Sequence, residues 1–254
     1  SFAYPDVPAE ELDAFLEARA MSVEFFTPDC TVTLIRDGER TILFDVGAGQ
    51  NFMATPGKLP ESLAEAGIDA SEVSDVVFTH GHPDHLWGLL DEFDEPLFPE
   101  AAFHMNRLEW EYWRASDTLE KTPEARKTFV VGAQTRLAVL EGRINLFDYG
   151  AEVLPGIEAV DTSGHTPGHT SFMVHDGSQN LMVVGDALSQ VAISFEKPSW
   201  PSGSDHDPQA GVATRVKLLE RLSADGSLIV GYHLPHPGLG RVERAAEGWR
   251  FVSS

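Results

Sequence analysis

Thr79-His80-Gly81-His82-Pro83-Asp84-His85 is the stretch of sequence that decides the fold. Within it, His80, His82, Asp84 and His85 are residue types that bind metal ions. Imidazole nitrogens and carboxylate oxygens suit Zn²⁺, and three protein ligands leave a coordination position open for water. The apolar segment 75–78 comes directly before this run, so the histidines are expected in a loop at the carboxyl end of a buried strand. The stretch therefore predicts a zinc site at the edge of a sheet.

Three ligand-type residues further along the chain extend the pattern. His165 lies between two predicted strands, Asp186 follows the apolar segment 181–184, and His233 follows the segment 227–230. His236 competes with His233, but the position directly after the strand favours His233. We therefore predict two zinc ions that share a hydroxide, with Asp186 bridging them, the first held by His80, His82 and His165 and the second by Asp84, His85 and His233.

Alternating and continuous apolar runs predict a mixed α/β chain. A β-hairpin is expected over 31–44 with its turn at 36–39, because Asp-Gly between β-rich runs is typical of hairpins. The other predicted strands are 75–78, 102–104, 144–147, 157–161, 170–175, 180–184 and 227–230, and the predicted helices are 9–19, 59–66, 107–113, 123–140 and 208–222. Since no linker interrupts the chain, residues 1–254 are expected to form a single domain with two pseudo-equivalent halves, about 1–130 and 131–254.

The chain is strongly acidic, with 40 Asp and Glu against 18 Lys and Arg and a formal net charge of −22. This charge repels phosphate backbones and anionic lipid surfaces, and no apolar run approaches the roughly 18 residues of a membrane span. We therefore expect a small-molecule substrate, and neither nucleic acid nor a membrane as partner. The single cysteine, Cys30, excludes an intrachain disulfide and thiolate-rich metal sites. Ser1 is followed by no leader pattern, so an export signal is expected to have been removed or never present. A soluble protein is expected, and the choice between cytoplasm and periplasm stays open.

The ordered set Asp45-x-Gly47, His80-x-His82-x-Asp84-His85, His165, Asp186 and His233 resembles the metallo-β-lactamase superfamily. The resemblance implies an α/β (α+β) fold, a four-layer αββα sandwich with a dinuclear site at one edge. It also implies a strand before the hairpin, whereas residues 1–8 read as irregular, so such a strand is expected to be missing from this sequence. The segments 163–170, 185–186, 233–240 and 249–252 are similar to methyl parathion hydrolase and its lactonase-like relatives, which allows a homodimer.

Further roles follow from the same resemblance. His165 is implied as the ligand of its pair, with His169 as a supporting residue, and Asp45 is implied to orient a ligand histidine by a hydrogen bond. The resemblance also places aromatic residues around the leaving group of an apolar substrate. The implied pocket residues are Phe52, Trp113 and Phe129, with Phe195 and Trp200 on the loop after Asp186, and His236 beside them.

The predicted chemistry is hydrolysis by a hydroxide held between two zinc ions, since coordination lowers the pKa of water from about 15.7 towards 7. Asp84 is the candidate to pass a proton to the leaving group, and Asp186 is the bridging catalytic carboxylate. No nucleophilic serine or cysteine is needed. The expected substrate is a lactone, an ester or a phosphotriester of an apolar small molecule, and Mn, Co or Fe are alternatives to zinc.

Other members of the superfamily define the alternatives. A thioester hydrolase of glyoxalase type and an iron-dependent persulfide dioxygenase share part of the metal motif. Acyl-homoserine lactonases usually have a Tyr three residues after the bridging Asp, whereas this chain has Ser189 there. β-Lactamases with this histidine run lack the bridging Asp, so Asp186 argues against that activity. A purely structural zinc site is disfavoured because such sites are usually closed and rich in Cys.

Overall fold

Two β-sheets form the centre of the protein, which is described by a computed structural model over residues 3–38, 40–53, 56–177 and 179–254. The first sheet has five strands in sequence order: β1 (Thr33–Asp37), β2 (Arg40–Phe44), β3 (Asp75–Val77), β4 (Ala102–Asn106) and β5 (Ile144–Phe147). β1 and β2 form the predicted antiparallel hairpin, and β2 to β5 are parallel. Glu39, in the predicted turn, lies outside the described residues.

The second sheet has seven strands: β6 (Glu152–Leu154), β7 (Ile157–Asp161), β8 (Thr170–Asp176), β9 (Gln179–Val183), β10 (Leu228–Val230), β11 (Leu239–Arg244) and β12 (Trp249–Ser253). They lie in the order β12-β11-β10-β9-β8-β7-β6, antiparallel except for the β9–β10 pair. The strands β6, β11 and β12 were not predicted from the sequence. These strands lie at or next to the sheet edges, where one face is exposed and charged side chains weaken the apolar pattern.

Eight α-helices cover the sheets: α1 (Ala9–Glu17), α2 (Leu59–Glu65), α3 (Pro83–Leu86), α4 (Arg107–Arg114), α5 (Thr118–Lys121), α6 (Lys127–Val139), α7 (Ile193–Glu196) and α8 (Pro208–Asp225), counted over the described residues. The helix predicted at 123–140 is interrupted, because a 3-10 turn at Glu124–Arg126 precedes α6. α8 begins as predicted, with the Asp207 side chain accepting a hydrogen bond from the Ala210 amide at 3.0 Å.

Side-chain alternation along the strands builds the layers. On β2, Ile42 and Phe44 face the second sheet, whereas Leu43 faces the helices, as the two-residue period of a strand requires. Phe44 packs against Phe172 of β8 between the sheets, with ring centroids 5.4 Å apart. On the outer face of the second sheet, Ile229 packs with leucines of α8. The result is the expected four-layer αββα sandwich.

The chain passes from the first sheet to the second between β5 and β6, after Phe147. The boundary expected near residue 130 falls within α6, and β5 still pairs with the first sheet. The loops after β2, β3, β7, β9 and β10 lie at one edge of the sandwich, because these strands run in the same direction within their sheets. Within the described ranges, no helix has the length and apolar character to cross a membrane.

Candidate metal centre

The ligand-type side chains predicted from the sequence meet at this edge. His80, His82 and His165, here called the first donor group, offer nitrogen atoms that all lie within 4.8 Å of one another. His82 Nδ1 faces His165 Nε2 at 2.9 Å. All three side chains are buried. This group combines the loop after β3 with the loop between β7 and β8.

Asp84, His85 and His233 form the second donor group. The Nε2 atoms of His233 and His85 lie 3.2 and 3.7 Å from Asp84 Oδ2. Asp84 and His85 lie on α3, where Pro83 stands in the first turn, and His233 follows β10. The Asp84 side chain is 19% exposed, whereas that of His85 is fully buried. The second group therefore has a side open to solvent.

Asp186 lies between the two groups. Its Oδ1 is 3.2 Å from His85 Nε2, and its Oδ2 is 3.3 Å from both His165 Nε2 and His233 Nε2. Gly185 allows this approach, since its φ of +53° is costly for other residues and an added Cβ would lie 2.7 Å from His169 Nε2. The carboxylate thus contacts both donor groups.

Unpaired polar atoms show that the cluster fits metal ions. Within the described part of the chain, His80 Nε2, His85 Nε2 and Asp186 Oδ1 are buried without a hydrogen-bond partner. A buried polar atom without a partner costs about 1–3 kcal/mol, so such atoms call for a ligand. Imidazole and carboxylate donors are the set that borderline divalent cations prefer.

Protonation in the metal-free chain differs between the groups. Burial and the neighbouring imidazoles hold the pKa values of His80 and His82 well below the usual range, so both rings are neutral at pH 7. Burial also opposes the charged form of His85, but the surrounding carboxylates, Asp186 foremost, raise its pKa to about 10. For Asp186, burial opposes ionisation, yet the histidines around it, His233 first, hold its pKa well below the usual value. A bound cation would replace the imidazole protons, because ligands bind deprotonated.

The predicted supporting residues contact the cluster. Asp45 Oδ2 lies 2.8 Å from His85 Nδ1, and its other oxygen accepts a hydrogen bond from the Thr79 amide at 2.8 Å. Both ring nitrogens of His169 are engaged: Nδ1 with Thr162 Oγ1 at 2.9 Å, and Nε2 with the Asp186 amide at 3.0 Å. Asp45 and His169 thus hold residues of the cluster by hydrogen bonds. Neither ring nitrogen of His169 is free to bind a metal ion.

Three residues that sequence analysis missed complete the surroundings of the first donor group. Asp205 Oδ1 lies 3.0 Å from His165 Nδ1, while its Oδ2 accepts from Arg215 at 3.0 Å. His206 Nε2 lies 3.1 Å from His82 Nε2. The buried Glu109 carboxylate is the third. No spacing rule connects these residues to the histidine run, and the Asp205-His206-Asp207 segment before α8 is the one signal that could have marked them.

Glu109 on α4 joins segments from both sheets. Its Oε1 accepts from the Gly81 amide at 2.8 Å and from Trp113 Nε1 at 2.6 Å. Its Oε2 accepts from Thr166 Oγ1 at 2.7 Å and from the Gly168 amide at 2.8 Å. Burial raises the pKa of Glu109, and these four donors oppose that shift. The carboxylate fixes the loop after β3 against the loop before β8.

Cys30 also reaches the centre. The Cys30 sulfur lies within 4.8 Å of donor atoms of Asp84 and His233. The backbone explains this proximity: His233 Nδ1 contacts the Asp29 carbonyl at 2.6 Å, and the Thr31 amide donates to the Tyr232 carbonyl at 2.9 Å. The thiol is exposed, at the open side of the second donor group.

A cavity of about 770 Å³ adjoins the first donor group, with Trp113, Phe129 and His206 in its wall. Phe52 packs against Phe129 with ring centroids 6.2 Å apart. Burial and the charges of His165 and Arg126 lower the pKa of His206 to about 3, which keeps its ring neutral. The cavity therefore has aromatic walls with a neutral imidazole next to the metal-binding cluster.

Three residues expected in the pocket lie elsewhere. Phe195 on α7 is fully buried in the core beneath the second sheet, where it contacts Phe251 at a centroid distance of 5.8 Å. Trp200 packs on Phe15 of α1 at 5.2 Å. His236 is exposed, and its backbone amide donates to Asp29 at 3.2 Å. The segment after Asp186 turns Phe195 and Trp200 towards the hydrophobic core, and the periodicity of the sequence alone does not reveal this.

The sequence matches the metallo-beta-lactamase superfamily over residues 27–238, a region that contains both donor groups and Asp186. The chain belongs to this superfamily. It is similar to metallo-beta-lactamase domain-containing protein 1 of Xenopus laevis, with 27% identity over 78% of this chain and 69% of that protein. It is also 23% identical to an N-acyl homoserine lactonase of a Bacillus species, over 65% of this chain and 58% of the lactonase.

The structure is similar to that of AidC, a dizinc quorum-quenching lactonase, with a TM-score of 0.92 and 27% identity over 100% of this chain and 88% of AidC. These relatives and the histidine-rich cluster identify a metal-dependent hydrolase of the metallo-β-lactamase superfamily. Lactonases are among its neighbours in both sequence and structure.

Proposed function

We propose that this protein is a dinuclear zinc hydrolase that opens a lactone, or cleaves an ester or phosphotriester, of an apolar small molecule. The first ion would be held by the first donor group and the second ion by the second, with Asp186 bridging. The observation that carries this proposal is the position of Asp186, whose two oxygens lie 3.2–3.3 Å from histidines of both groups. A single-ion site would need no carboxylate shared in this way.

Bound zinc ions supply an activated water molecule at neutral pH and positive charge that stabilises a developing oxyanion. The residues of the chain provide the rest. Asp84 is the donor-group carboxylate that is partly exposed, at 19%, so it can exchange a proton with the leaving group and then with solvent. Asp45 fixes the orientation of the His85 ring through the 2.8 Å contact.

The cavity supports an apolar substrate of small size. Trp113 and Phe129 give it aromatic walls, and about 770 Å³ matches the 300–1,000 Å³ typical of small-molecule sites. The net charge of −22 disfavours polyanionic substrates. A lactone is the first class to test, because AidC and the Bacillus relative are lactonases. Ser189 stands where such enzymes usually have a tyrosine, so lactone binding would need a different donor.

The test is a combined assay of metal content and hydrolysis. The purified protein, loaded with zinc, would be given N-hexanoyl-homoserine lactone, p-nitrophenyl butyrate and diethyl p-nitrophenyl phosphate, each with and without a chelator. We expect two zinc ions per chain and chelator-sensitive hydrolysis of at least one compound. Two bound ions with no turnover of any class would refute the substrate proposal, and one ion would refute the dinuclear centre.

Two further arms address other chemistries of the superfamily. S-lactoylglutathione tests for a thioester hydrolase, and oxygen consumption with glutathione persulfide after iron loading tests for a dioxygenase. Because glutathione conjugates carry negative charge, we expect both rates to be low for this acidic chain. Fast turnover in either arm, with slow hydrolysis of the three neutral substrates, would replace the proposed function.

A further inference from the structure

His206 connects the substrate cavity to the first donor group. Its backbone amide donates to the His165 carbonyl at 2.9 Å, which fixes the loop before α8 against the centre. Its Nε2 lies 3.1 Å from Nε2 of His82. The same residue lines the cavity, with its ring 5.3 Å from that of Tyr112 and 5.7 Å from that of Trp113.

A metal ion bound by His82 would fix the direction of that hydrogen bond. His82 Nδ1 faces His165 Nε2 at 2.9 Å, so Nδ1 is the atom directed into the first donor group. A neutral imidazole that offers a lone pair from Nδ1 carries its proton on Nε2. In the metal-loaded protein His82 Nε2 would therefore be the donor, and His206 Nε2 the acceptor.

This contact also determines the tautomer of His206. When Nε2 accepts from His82 of the metal-loaded protein, the ring of His206 carries its hydrogen on Nδ1. Within the described ranges, no protein acceptor contacts His206 Nδ1, and the side chain is partly exposed in the cavity wall. The ring therefore has an unused N–H donor in the wall of the cavity.

We propose that His206 positions the substrate of this hydrolase by donating Nδ1–H to an acceptor oxygen outside the scissile bond, such as an amide carbonyl, while its Nε2 orients the ligand His82. The inference rests on the proposed function for the class of substrate. It gives the cavity a preference for apolar molecules that carry a hydrogen-bond acceptor at a distance from the scissile bond. The imidazole of His206 would thus both contact the substrate and orient the ligand His82.

Two substitutions separate these roles. In His206→Asn the amide lies near the position of Nδ1, so the donor to the substrate is kept and the contact with His82 is lost. In His206→Gln the longer side chain reaches the position of Nε2, so the contact with His82 is kept and the donor to the substrate is lost. His206→Phe removes both, and His175→Gln, an exposed histidine of β8, serves as the matched control.

The readouts are KM and kcat for N-hexanoyl-homoserine lactone, zinc retained after dialysis against a weak chelator, and calorimetric binding of the product N-hexanoyl-homoserine to the zinc-loaded protein. We expect His206→Gln to raise KM and the product Kd roughly 3–10-fold, as for one lost neutral hydrogen bond, with zinc retained. His206→Asn should keep KM within about twofold but weaken zinc binding roughly tenfold or more.

The inference is overturned if His206→Gln binds product as tightly as the wild type, or if His206→Asn and His206→Gln behave alike. Its failure differs from a failure of the proposed function, in which the zinc-loaded wild type hydrolyses none of the substrates. In that case the product Kd of the variants still tests His206, and a wild type that does not bind the product overturns the inference as well.

Discussion

The two donor groups differ in how they are held. The first group is buried, and each outer ring nitrogen faces a side chain: His165 faces Asp205 and His82 faces His206. The second group is held by Asp45 and by the backbone carbonyl of Asp29, and it opens to solvent at Asp84. We therefore expect the first group to be the more rigid of the two, and the second to be the one that exchanges protons with solvent.

The carboxylates that support the two groups, Asp205 and Asp45, also differ in their surroundings. Asp205 is paired with the buried Arg215, so its charge is balanced within the protein. Burial opposes ionisation of Asp205, but His165 and Arg215 hold its pKa below the usual value. Asp45 is stabilised by the amide and hydroxyl of Thr79, at 2.8 and 2.7 Å. The carboxylate that supports the first group is thus part of a buried ion pair, whereas the carboxylate that supports the second group is hydrogen-bonded to Thr79.

The largest expected effect comes from removing the residue common to both groups. Asp186→Asn should lower kcat/KM on the order of a thousandfold or more, because a charge shared by two ions is lost at the reacting centre. Zinc content should fall from two ions to one or none. Steady-state kinetics and metal analysis measure both effects. Two tightly bound ions in this variant would contradict the role of Asp186 between the groups.

The next effect separates the groups. Asp205→Asn should weaken binding at the first group and Asp45→Asn at the second, each roughly 10–100-fold, since outer hydrogen-bond partners tune ligand basicity and orientation. Asparagine tolerates the φ of +63° at position 45, so the backbone there is kept. Stepwise competition with a chromophoric chelator resolves the two affinities. If both variants lose the same ion first, the assignment of supports to groups is wrong.

Metal removal should produce a smaller, global effect. Zinc at 100 times its Kd stabilises the folded state by about 2.7 kcal/mol for one site, so the chelated protein should unfold at a lower urea concentration. Hydrogen exchange should rise more in the loop that carries His233 than in the loop that carries His165, because His165 is held by the buried Asp205 side chain, whereas His233 is held by Asp29 at the open side of the centre. Equal loss of protection in both loops would remove the proposed difference in rigidity.

The smallest expected effect concerns Cys30. Metal bound by the second group should lower the rate at which a disulfide reagent modifies this thiol, roughly threefold, because the sulfur lies beside Asp84 and His233 and a cation there restricts access. The chain has a single cysteine, so the signal is unambiguous. Asp84→Asn, which weakens the second group, is the control and should restore the rate. A rate that is independent of metal would place Cys30 outside the second group.

Sequence reasoning succeeded where chemistry follows a strand directly. The histidine run after β3, Asp186 after β9 and His233 after β10 are brought together because these strand ends share one edge. It failed where packing between distant elements decides. Asp205 and Glu109 reach the centre from other segments, and Phe195, which was expected on a pocket loop after Asp186, lies on α7 and packs in the core. Spacing along the chain does not encode such contacts, because they depend on how helices lie across the sheets.

Glu109 has a consequence for the order of folding. Its carboxylate has all its hydrogen-bond donors only when the loop after β3 and the loop before β8 are both in place. Burying the carboxylate before then costs free energy. A folding intermediate with one sheet formed would therefore leave this residue in water and the centre unassembled. The rate of zinc uptake during refolding should then equal the rate at which the two sheets dock, and not the rate at which either sheet forms.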